Sequence, residues 1–412
     1  MSFFSVHIAI FVDQHPRSLG GIQTSVMLQK KYLERAGHRV TIICPNSSKV
    51  RATDGFWLLP SWPISLNGEF TFVGNVRRSR KRLDRGFNEL HDKFDVVHIQ
   101  GDMWSGIIGL GFAQRQRLPI VHTMHFNMGT SISDMFGKPL ARLLFWLFSR
   151  ELLKHVNRPR NGTTGDPWHY LRLLAAEASI VFAPSHHFAH DLVKNGVAEE
   201  VKVMHNGIDD DTIHSILANA KEHPSVRVPG EPVRLVWSGR LQMEKRPLEF
   251  IRAFALANVN AVADIYGKGY QFKKASRLIK ELGLEGKVRL RGSVPYTKML
   301  RIFADSDALV QSSVGFETQG MTVYEAAATG TPSILCDSNI AGEFAAGSQW
   351  VVKDASVEAL ADSIRQAVSD IEAGDRRGDG LVNEDHLLQS GATEIMLNYY
   401  RSVIEHHEAP KY

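Results

Sequence analysis

Short apolar runs alternate with amphipathic stretches along the whole chain. The first run, residues 6–12, is almost continuously apolar, which is typical of a parallel strand buried on both faces. An amphipathic stretch at residues 22–36 follows, Gly37 ends it, and residues 39–44 form a second apolar run. This succession predicts a strand–helix–strand unit at the start of the chain.

The alternation continues in both halves of the chain. In the first half it predicts further strands at residues 96–100, 120–123 and 180–183, and in the second half at residues 234–237, 261–266, 288–291, 308–311 and 333–335. Strands alternating with helices predict an α/β protein with two doubly wound sheets. The pattern is interrupted by polar, Pro and Gly residues near residues 209–231, where we expect the boundary between two domains.

Composition narrows the class of protein. The 412 residues are 43% hydrophobic, enough for two sizeable α/β domains, and the net charge is only +4. Two distant cysteines, Cys44 and Cys336, exclude a disulfide framework and favour a reducing, cytoplasmic compartment. The N-terminal residues read as a strand rather than a signal peptide, and no apolar run is long enough to span a bilayer.

Two glutamates in the second half mark a candidate ligand site. Glu317 and Glu325 have seven residues between them, in a stretch that follows the predicted strand at 308–311 and ends in a helical stretch before Gly330. A strand, a glycine-containing turn and a helix start bring backbone N–H groups and the positive end of a helix together. The two carboxylates can therefore contact different parts of one elongated anionic ligand.

Two cations follow an earlier predicted strand. Arg240 and Lys245 come after residues 234–237, at the strand end where ligands bind in open parallel sheets. An Arg fork and a Lys point charge are the usual partners of a diphosphate. Either residue alone would be read as a solvated loop cation. The two cations followed in order by the two glutamates predict a nucleotide-sugar site.

This ordered set, preceded by the run Asn206-Gly207-Ile208-Asp209, resembles the retaining nucleotide-sugar glycosyltransferases of the GT-B fold, glycosyltransferase family 4. That family includes bacterial phosphatidylinositol mannosyltransferases and diacylglycerol glycosyltransferases. The resemblance runs from about Val6 to about Phe344. It implies two Rossmann-like domains facing across a cleft, with residues 1–208 binding the acceptor and residues 209–390 the donor. It also implies that a C-terminal helix within residues 391–412 packs back on the first domain.

The resemblance implies roles for individual residues. His125, just past a strand end, lies near the transferred sugar, and the loop at Gly20-Gly21 closes over the donor phosphate. Glu325 accepts hydrogen bonds from ribose hydroxyls, and Glu317 holds the sugar ring. Further donor contacts are expected in the turns after strands, at Gly239, Gly267, Ser293, Val294, Thr318, Gln319, Gly320 and Met321.

The expected chemistry follows from charge. Departure of a nucleoside diphosphate develops negative charge, which Arg240, Lys245 and the helix start near Gly320 can stabilise. In the family the configuration of the sugar is retained without an enzyme nucleophile, so Glu317 is not assigned as one. Because no Asp-x-Asp pattern lies in a suitable place, we expect neither a cofactor nor a metal ion.

Two stretches suggest contact with an anionic membrane, at the inner face of the plasma membrane. Residues 77–85 are strongly basic, with cations at Arg77, Arg78, Arg80, Lys81 and Arg82, and Leu83, Phe87 and Leu90 follow at helical spacing. Residues 140–148 are apolar over a wide face. The alternatives are a solvated basic face and a buried core helix. The acceptor hydroxyl would then belong to a membrane glycolipid or another cell-envelope glycan.

The leading hypothesis is a metal-independent hexosyltransferase that uses GDP-mannose or a UDP-sugar. One rival is a nucleotide-sugar epimerase, since a GT-B architecture also serves that reaction, although no proton-shuttling set is evident. Another is a non-catalytic nucleotide-sugar-binding protein. Nucleic-acid binding is disfavoured by the near-balanced charge and the lack of a recognisable module.

Overall fold

The chain folds into two compact units. The computed structural model describes residues 5–16, 20–46, 55–63, 71–73, 76–127, 137–156, 159, 161–222, 228, 230–375, 377 and 387–408. The first unit comprises Met1–Gly207 with Gln389–Tyr412, and the second comprises Ile208–Leu388. Within the described ranges, no helix combines the length and apolar content that crossing a bilayer requires.

The first unit is built on a parallel sheet of seven strands in the order β3-β2-β1-β6-β7-β8-β9. Its strands are β1 (His7–Phe11), β2 (Arg39–Pro45), β3 (Phe56–Leu59), β6 (Val96–Ile99), β7 (Ile120–Thr123), β8 (Ile180–Ala183) and β9 (Lys202–Val203). A separate antiparallel pair consists of β4 (Trp62–Pro63) and β5 (Thr71–Phe72). The apolar strand residues explain why the sheet is covered on both faces.

Helices cover both faces of this sheet. They are α1 (Gly21–Arg35), α2 (Val76–Glu89), α3 (Trp104–Gln116), α4 (Lys138–His155), α5 (Pro167–Ala175), α6 (His186–Lys194) and, from the end of the chain, α14 (Gln389–Glu408). Leu83 of α2, Leu110 of α3 and Phe145 of α4 belong to one core, whereas Val26 of α1 and Tyr400 of α14 belong to the core on the other face. The C-terminal helix therefore packs beside α1.

The second unit repeats the architecture with a parallel sheet of six strands in the order β12-β11-β10-β13-β14-β15. Its strands are β10 (Val233–Ser238), β11 (Ala261–Tyr266), β12 (Val288–Gly292), β13 (Ala308–Gln311), β14 (Ser333–Leu335) and β15 (Trp350–Val351). Its helices are α7 (Asp210–Glu222), α8 (Pro247–Ala257), α9 (Phe272–Glu281), α10 (Tyr296–Ala304), α11 (Met321–Ala328), α12 (Ser338–Ala341) and α13 (Val357–Glu372).

The chain passes between the units twice, at neighbouring points. Within the second unit, the N–H of Ile208 donates to the Leu387 carbonyl at 2.9 Å, and Ile208 forms a parallel bridge with Leu388. Within the first unit, Gly207 lies so close to Gln389 that a Cβ atom would come within 2.5 Å of the Gln389 Cα. The two ends of the second unit are thus side by side.

The predicted α/β fold with two parallel sheets is confirmed. Five predicted strands, 120–123, 180–183, 261–266, 308–311 and 333–335, have the observed ends. Part of the stretch at 209–231, expected as an interruption between domains, forms helix α7 instead, because Ile213 and Ile216 are buried in a core of the second unit. The predicted C-terminal helix is longer at its start, beginning at Gln389, and it belongs to the first unit.

Candidate functional site

The carboxyl ends of β10 and β13 define the candidate site of the second unit. The two strands are adjacent at the centre of the sheet, and the sequence order of strands reverses between them. Open α/β sheets bind ligands at such a switch point, because the loops that follow the two strands diverge and leave a crevice. The loop after β10 carries Arg240 and Lys245, and the loop after β13 carries Glu317.

Lys245 and Glu317 meet across this point. The Lys245 ammonium forms an ion pair with Glu317 Oε1, and Ser313 Oγ donates to the same oxygen at 2.7 Å. Burial alone would raise the pKa of Glu317, but the charge of Lys245 and hydrogen bonds from Lys245, Ser313 and Gln311 outweigh it and lower that pKa. Glu317 is therefore an ionised carboxylate held beside a cation.

Ser312 fixes the backbone at Lys245 by a hydrogen bond to its carbonyl. The indole N–H of Trp237 donates to Ser312 Oγ at 2.9 Å, and this hydroxyl donates to the Lys245 carbonyl at 2.7 Å. Arg246, at φ +52°, starts α8 in a left-handed conformation, and its guanidinium donates to the Ser312 carbonyl at 3.3 Å. The serines after β13 were missed by the sequence analysis. A pair of hydroxyls directly after a strand end was the available signal.

Glu325 is buried in α11 with its carboxyl unpaired. The residue is 7% exposed, and its side chain makes no hydrogen bond or ion pair with any residue in the described part of the chain. Burial raises the pKa of Glu325 to about 8. Gly320, at φ +76°, turns the chain into this helix, a conformation that favours glycine. A buried carboxyl without a partner is costly unless a ligand supplies the hydrogen bonds.

Arg240 lies apart from the ion pair. Its side chain is 40% exposed, and its guanidinium contacts Glu244, four residues along the chain, at 3.4 Å. Among the described residues it makes no bond to Lys245 or Glu317. Of the four residues in the predicted set, the structure thus joins Lys245 to Glu317 directly, places Glu325 on the helix that follows, and leaves Arg240 paired with a neighbouring carboxylate.

Gly267 allows the loops after β10 and β11 to pack closely at the carboxyl ends of these strands. A Cβ atom there would lie 1.8 Å from the Gly239 carbonyl oxygen, and its φ is +136°. A Cβ on Gly269 would similarly come within 2.3 Å of the Leu241 carbonyl oxygen. Close contact between the loops after β10 and β11 therefore requires these glycines, whether or not a nucleotide also approaches them.

The remaining predicted donor contacts are spread along the same edge. Ser293 and Val294 follow β12, two strands away from β10. Thr318, Gln319 and Met321 flank the turn into α11, and Gln319 is buried there.

In the first unit, residues that follow adjacent strands surround His125. The backbone N–H of His125 donates to Asp102 Oδ2 at 3.2 Å, and its ring Nε2 contacts Gln100 Oε1 at 3.2 Å. Burial lowers the pKa of His125 to about 4, although the Asp102 charge acts in the opposite direction. The imidazole is therefore neutral at physiological pH. Gly20 precedes α1 in an extended conformation, and Gly21 is the first residue of that helix.

No group of three or more His, Cys, Asp or Glu side chains suited to a metal ion occurs within the described ranges.

Comparison with known proteins defines the class. Residues 19–212 match the model of Glycosyltransferase Family 4, and residues 219–379 match the model of Glycosyl transferases group 1. With two Rossmann-like domains and a polar site at a switch point, the protein is a glycosyltransferase of the GT-B fold. More particularly, the chain belongs to the glycosyltransferase family 4 enzymes.

Two curated relatives are about one quarter identical to this chain over the residues that match. An alpha-monoglucosyldiacylglycerol synthase of Acholeplasma laidlawii is 23% identical over 342 residues, covering 80% of each protein. A D-inositol 3-phosphate glycosyltransferase of Streptomyces avermitilis is 27% identical over 254 residues, covering 58% of this chain and 50% of that protein.

Solved structures share the fold. Sucrose-phosphate synthase from Thermosynechococcus elongatus superposes with a TM-score of 0.70 at 17% identity, covering 97% of this chain and all of that one. Anabaena HepE in complex with UDP and glucose superposes with a TM-score of 0.69 at 16% identity, covering 96% and 100% of the two chains.

Proposed function

We propose that this glycosyltransferase moves a hexose from a nucleoside diphosphate sugar, GDP-mannose or a UDP-sugar, to a hydroxyl acceptor, with retention of configuration and without a metal ion. The observation that carries the proposal is the Lys245–Glu317 ion pair at the switch point, followed by the unpaired buried carboxyl of Glu325. A cation for a diphosphate on the loop after β10 and a carboxyl for a ribose on the helix after β13 fit an elongated anionic ligand. The complexes of HepE with UDP and glucose support this donor class by analogy.

The proposed reaction needs no enzyme nucleophile. The bond between the anomeric carbon and the diphosphate oxygen breaks, and its electron pair goes to the diphosphate. Lys245 and Arg240 stabilise the charge that develops there, which replaces the usual role of a metal ion. A leaving phosphate oxygen takes the proton of the acceptor hydroxyl, and the acceptor oxygen bonds the anomeric carbon on the same face. Glu317 accepts hydrogen bonds from the sugar, and so does the neutral His125.

A screen of donors by thermal unfolding tests the proposal. We expect one class among the GDP, UDP and ADP sugars to raise the melting temperature, since a ligand at 100 times its Kd stabilises the native state by about 2.7 kcal/mol. The same donor should then be consumed only when an acceptor is added. Conversion of the donor to an isomer without acceptor would indicate the epimerase, and a flat screen would contradict the proposal.

The acceptor is proposed to be a lipid-linked hydroxyl at the cytoplasmic face of a membrane. Helix α2 buries Ser79, Leu83 and Phe87 and exposes its cations. Among the described residues, four of these cations lack an ionic partner: Arg77, Lys81, Arg82 and Arg85. Such a face attracts anionic lipid at about 1 kcal/mol per cation.

Helix α4 adds an apolar stripe to the same layer. Leu140, Leu143 and Leu147 are 44%, 51% and 47% exposed, while Phe145 and Leu152 on the opposite side are buried. Both α2 and α4 pack against α3, so the leucines and the cations lie on helices of the same layer of the first unit. Residues 140–148, for which the alternative was a buried core helix, have one buried face and one exposed apolar face. Exposed leucines in a layer that also exposes cations suit attachment to a membrane interface.

Vesicle flotation tests this acceptor hypothesis. Replacing Arg77, Lys81, Arg82 and Arg85 by Ala should reduce binding to phosphatidylglycerol vesicles about 10³-fold at low salt, because four contributions of about 1 kcal/mol are lost. The matched control is the set Lys273, Lys274, Arg277 and Lys280, four exposed cations of helix α9, replaced by Ala. Absence of wild-type binding to anionic vesicles at low salt would exclude the membrane hypothesis and leave the donor chemistry untouched.

A further inference from the structure

Three consecutive residues at the carboxyl end of β13 lie beside the Lys245–Glu317 ion pair. Gln311 is the last residue of the strand, and Ser312 and Ser313 follow it. Their exposed fractions are 5%, 1% and 1%, so all three side chains are buried. Because buried polar groups need hydrogen-bond partners, the direction of each hydrogen bond here follows from which atoms can donate.

The hydroxyl hydrogen of Ser313 points to Glu317. Ser313 Oγ lies 2.7 Å from Glu317 Oε1, the same oxygen that receives the Lys245 ammonium. An ionised carboxylate can only accept hydrogen bonds. The single hydrogen of the Ser313 hydroxyl is therefore used on Glu317, and the hydroxyl oxygen remains as an acceptor for another donor.

Gln311 supplies that donor, since its side-chain amide contacts Ser313 Oγ. If the amide oxygen faced Ser313, this oxygen and the Glu317 carboxylate would compete for one hydroxyl hydrogen, so the amide nitrogen must face it. The arrangement leaves Gln311 Oε1 buried without a hydrogen-bond partner among the residues that the structure describes. An unpaired buried oxygen is unfavourable. The carboxylate of Glu317, and not the hydrogen bonding of the amide itself, thus determines which way the amide points.

Ser312 acts on the other partner of the ion pair. It accepts from the indole N–H of Trp237 at 2.9 Å and donates to the Lys245 carbonyl at 2.7 Å. One serine therefore fixes the main chain of Lys245, and the next serine contacts the carboxylate of Glu317. The amide of Gln311 contacts only the second serine of the two, so replacing it should leave the main chain of Lys245 in place.

We propose that Gln311 is a positioning residue for Glu317: by donating to Ser313 it directs the Ser313 hydroxyl to the carboxylate, and so holds Glu317 toward Lys245 before the donor binds. The inference rests on the proposed function, in which Lys245 binds the diphosphate and Glu317 the sugar. A side chain that is already oriented needs no rearrangement during the reaction. Gln311 itself need not contact the substrate.

The titration of Glu317 tests this inference without reference to transfer. Burial alone would raise the pKa of Glu317, and the charge of Lys245 is the strongest influence that lowers it. In full-length Lys245→Met this pKa should therefore rise, so that ¹³C NMR can follow the carboxyl, assigned with Glu317→Gln. Adding Gln311→Met should make the carboxylate bind its proton about tenfold more tightly, because a hydrogen bond to the charged form is lost. Ser313→Ala should have the same effect.

Transfer rates test the consequence for the reaction. In the otherwise wild-type protein, Gln311→Met should lower kcat about tenfold. Ser313→Ala should cause a similar loss, and the double variant little more than either, because both act through one contact. The matched control is Gln349→Met, which removes another buried glutamine of the same unit, one whose amide oxygen accepts from the Ser333 N–H. It should change neither kcat nor the carboxyl titration.

Two results would overturn the inference. One is an unchanged titration of Glu317 in Gln311→Met or in Ser313→Ala, and the second variant does not depend on how the first one folds. The other is an equal loss of transfer in Gln311→Met and Gln349→Met, which would show a general structural role. A changed titration of Glu317 in a protein that transfers sugar from no donor would uphold the positioning by Gln311 and refute the proposed function, so the two failures are distinguishable.

Discussion

Replacing Lys245 by Ala should lower kcat/KM for transfer by about 10²–10³ and abolish the thermal shift caused by the donor. The ammonium is the cation joined to Glu317 at the switch point, and loss of one group that stabilises developing charge has this order of effect. Binding of inorganic pyrophosphate should weaken in parallel, since the lost contact is to phosphate. Initial rates and calorimetry measure these effects.

Lys245→Ala also leaves a partly buried carboxylate without its cation, so a loss of folding must be separated from a loss of chemistry. The double variant Lys245→Met/Glu317→Gln removes both charges and should recover the melting temperature but not transfer. Lys353→Ala removes an exposed cation of the same unit and should behave as wild type. Wild-type donor binding by Lys245→Ala would refute its assignment to the diphosphate.

Glu325→Ala should weaken binding of the cognate nucleoside diphosphate about 10²-fold while leaving pyrophosphate binding unchanged. Two hydrogen bonds from ribose hydroxyls, each of about 1.5 kcal/mol, account for a loss of this size. Pyrophosphate has no ribose, so it distinguishes Glu325 from Lys245. Glu358→Ala, in the first turn of α13, is the control with an exposed carboxylate. Equal losses for both ligands would contradict the ribose contact.

Glu325 also predicts a pH dependence for the stability of the unliganded protein. Burial raises its pKa from 4.5 to about 8, so between these values the folded state keeps a proton that the unfolded state releases. The stability that this group contributes is complete below pH 4.5 and is lost as the pH rises through about 8, at up to about 1.4 kcal/mol per pH unit. Glu325→Gln should therefore gain in melting temperature relative to wild type from pH 5 to pH 8. A constant difference across that range would be inconsistent with a protonated Glu325.

The sequence predicted the two sheets well because buried parallel strands are almost uniformly apolar. Residues 120–123 are apolar except for His122 and Thr123, and residues 308–311 are apolar except for Gln311. Helix α7 was missed because its acidic first turn and the prolines and glycines beyond it resemble a linker locally. Only its packing of Ile213 and Ile216 against the second core identifies it.

The site was predictable in part. The order of cations and glutamates indicated the ligand class, but it could not show that Lys245 touches Glu317. That contact depends on β10 lying next to β13, a pairing between strands more than 70 residues apart. The burial of Glu325 and the contacts of His125 with Gln100 and Asp102 likewise arise from tertiary packing, for which the sequence carries no local signal.

The adjacency of Ile208 and Leu388 makes the protein divisible for experiment. Because the second unit begins and ends at neighbouring positions, residues 208–388 could be expressed alone with their two termini side by side. A short glycine-serine linker from Gly207 to Gln389 could then join the two parts of the first unit. Each half could then be titrated by itself, nucleotides against one fragment and vesicles against the other.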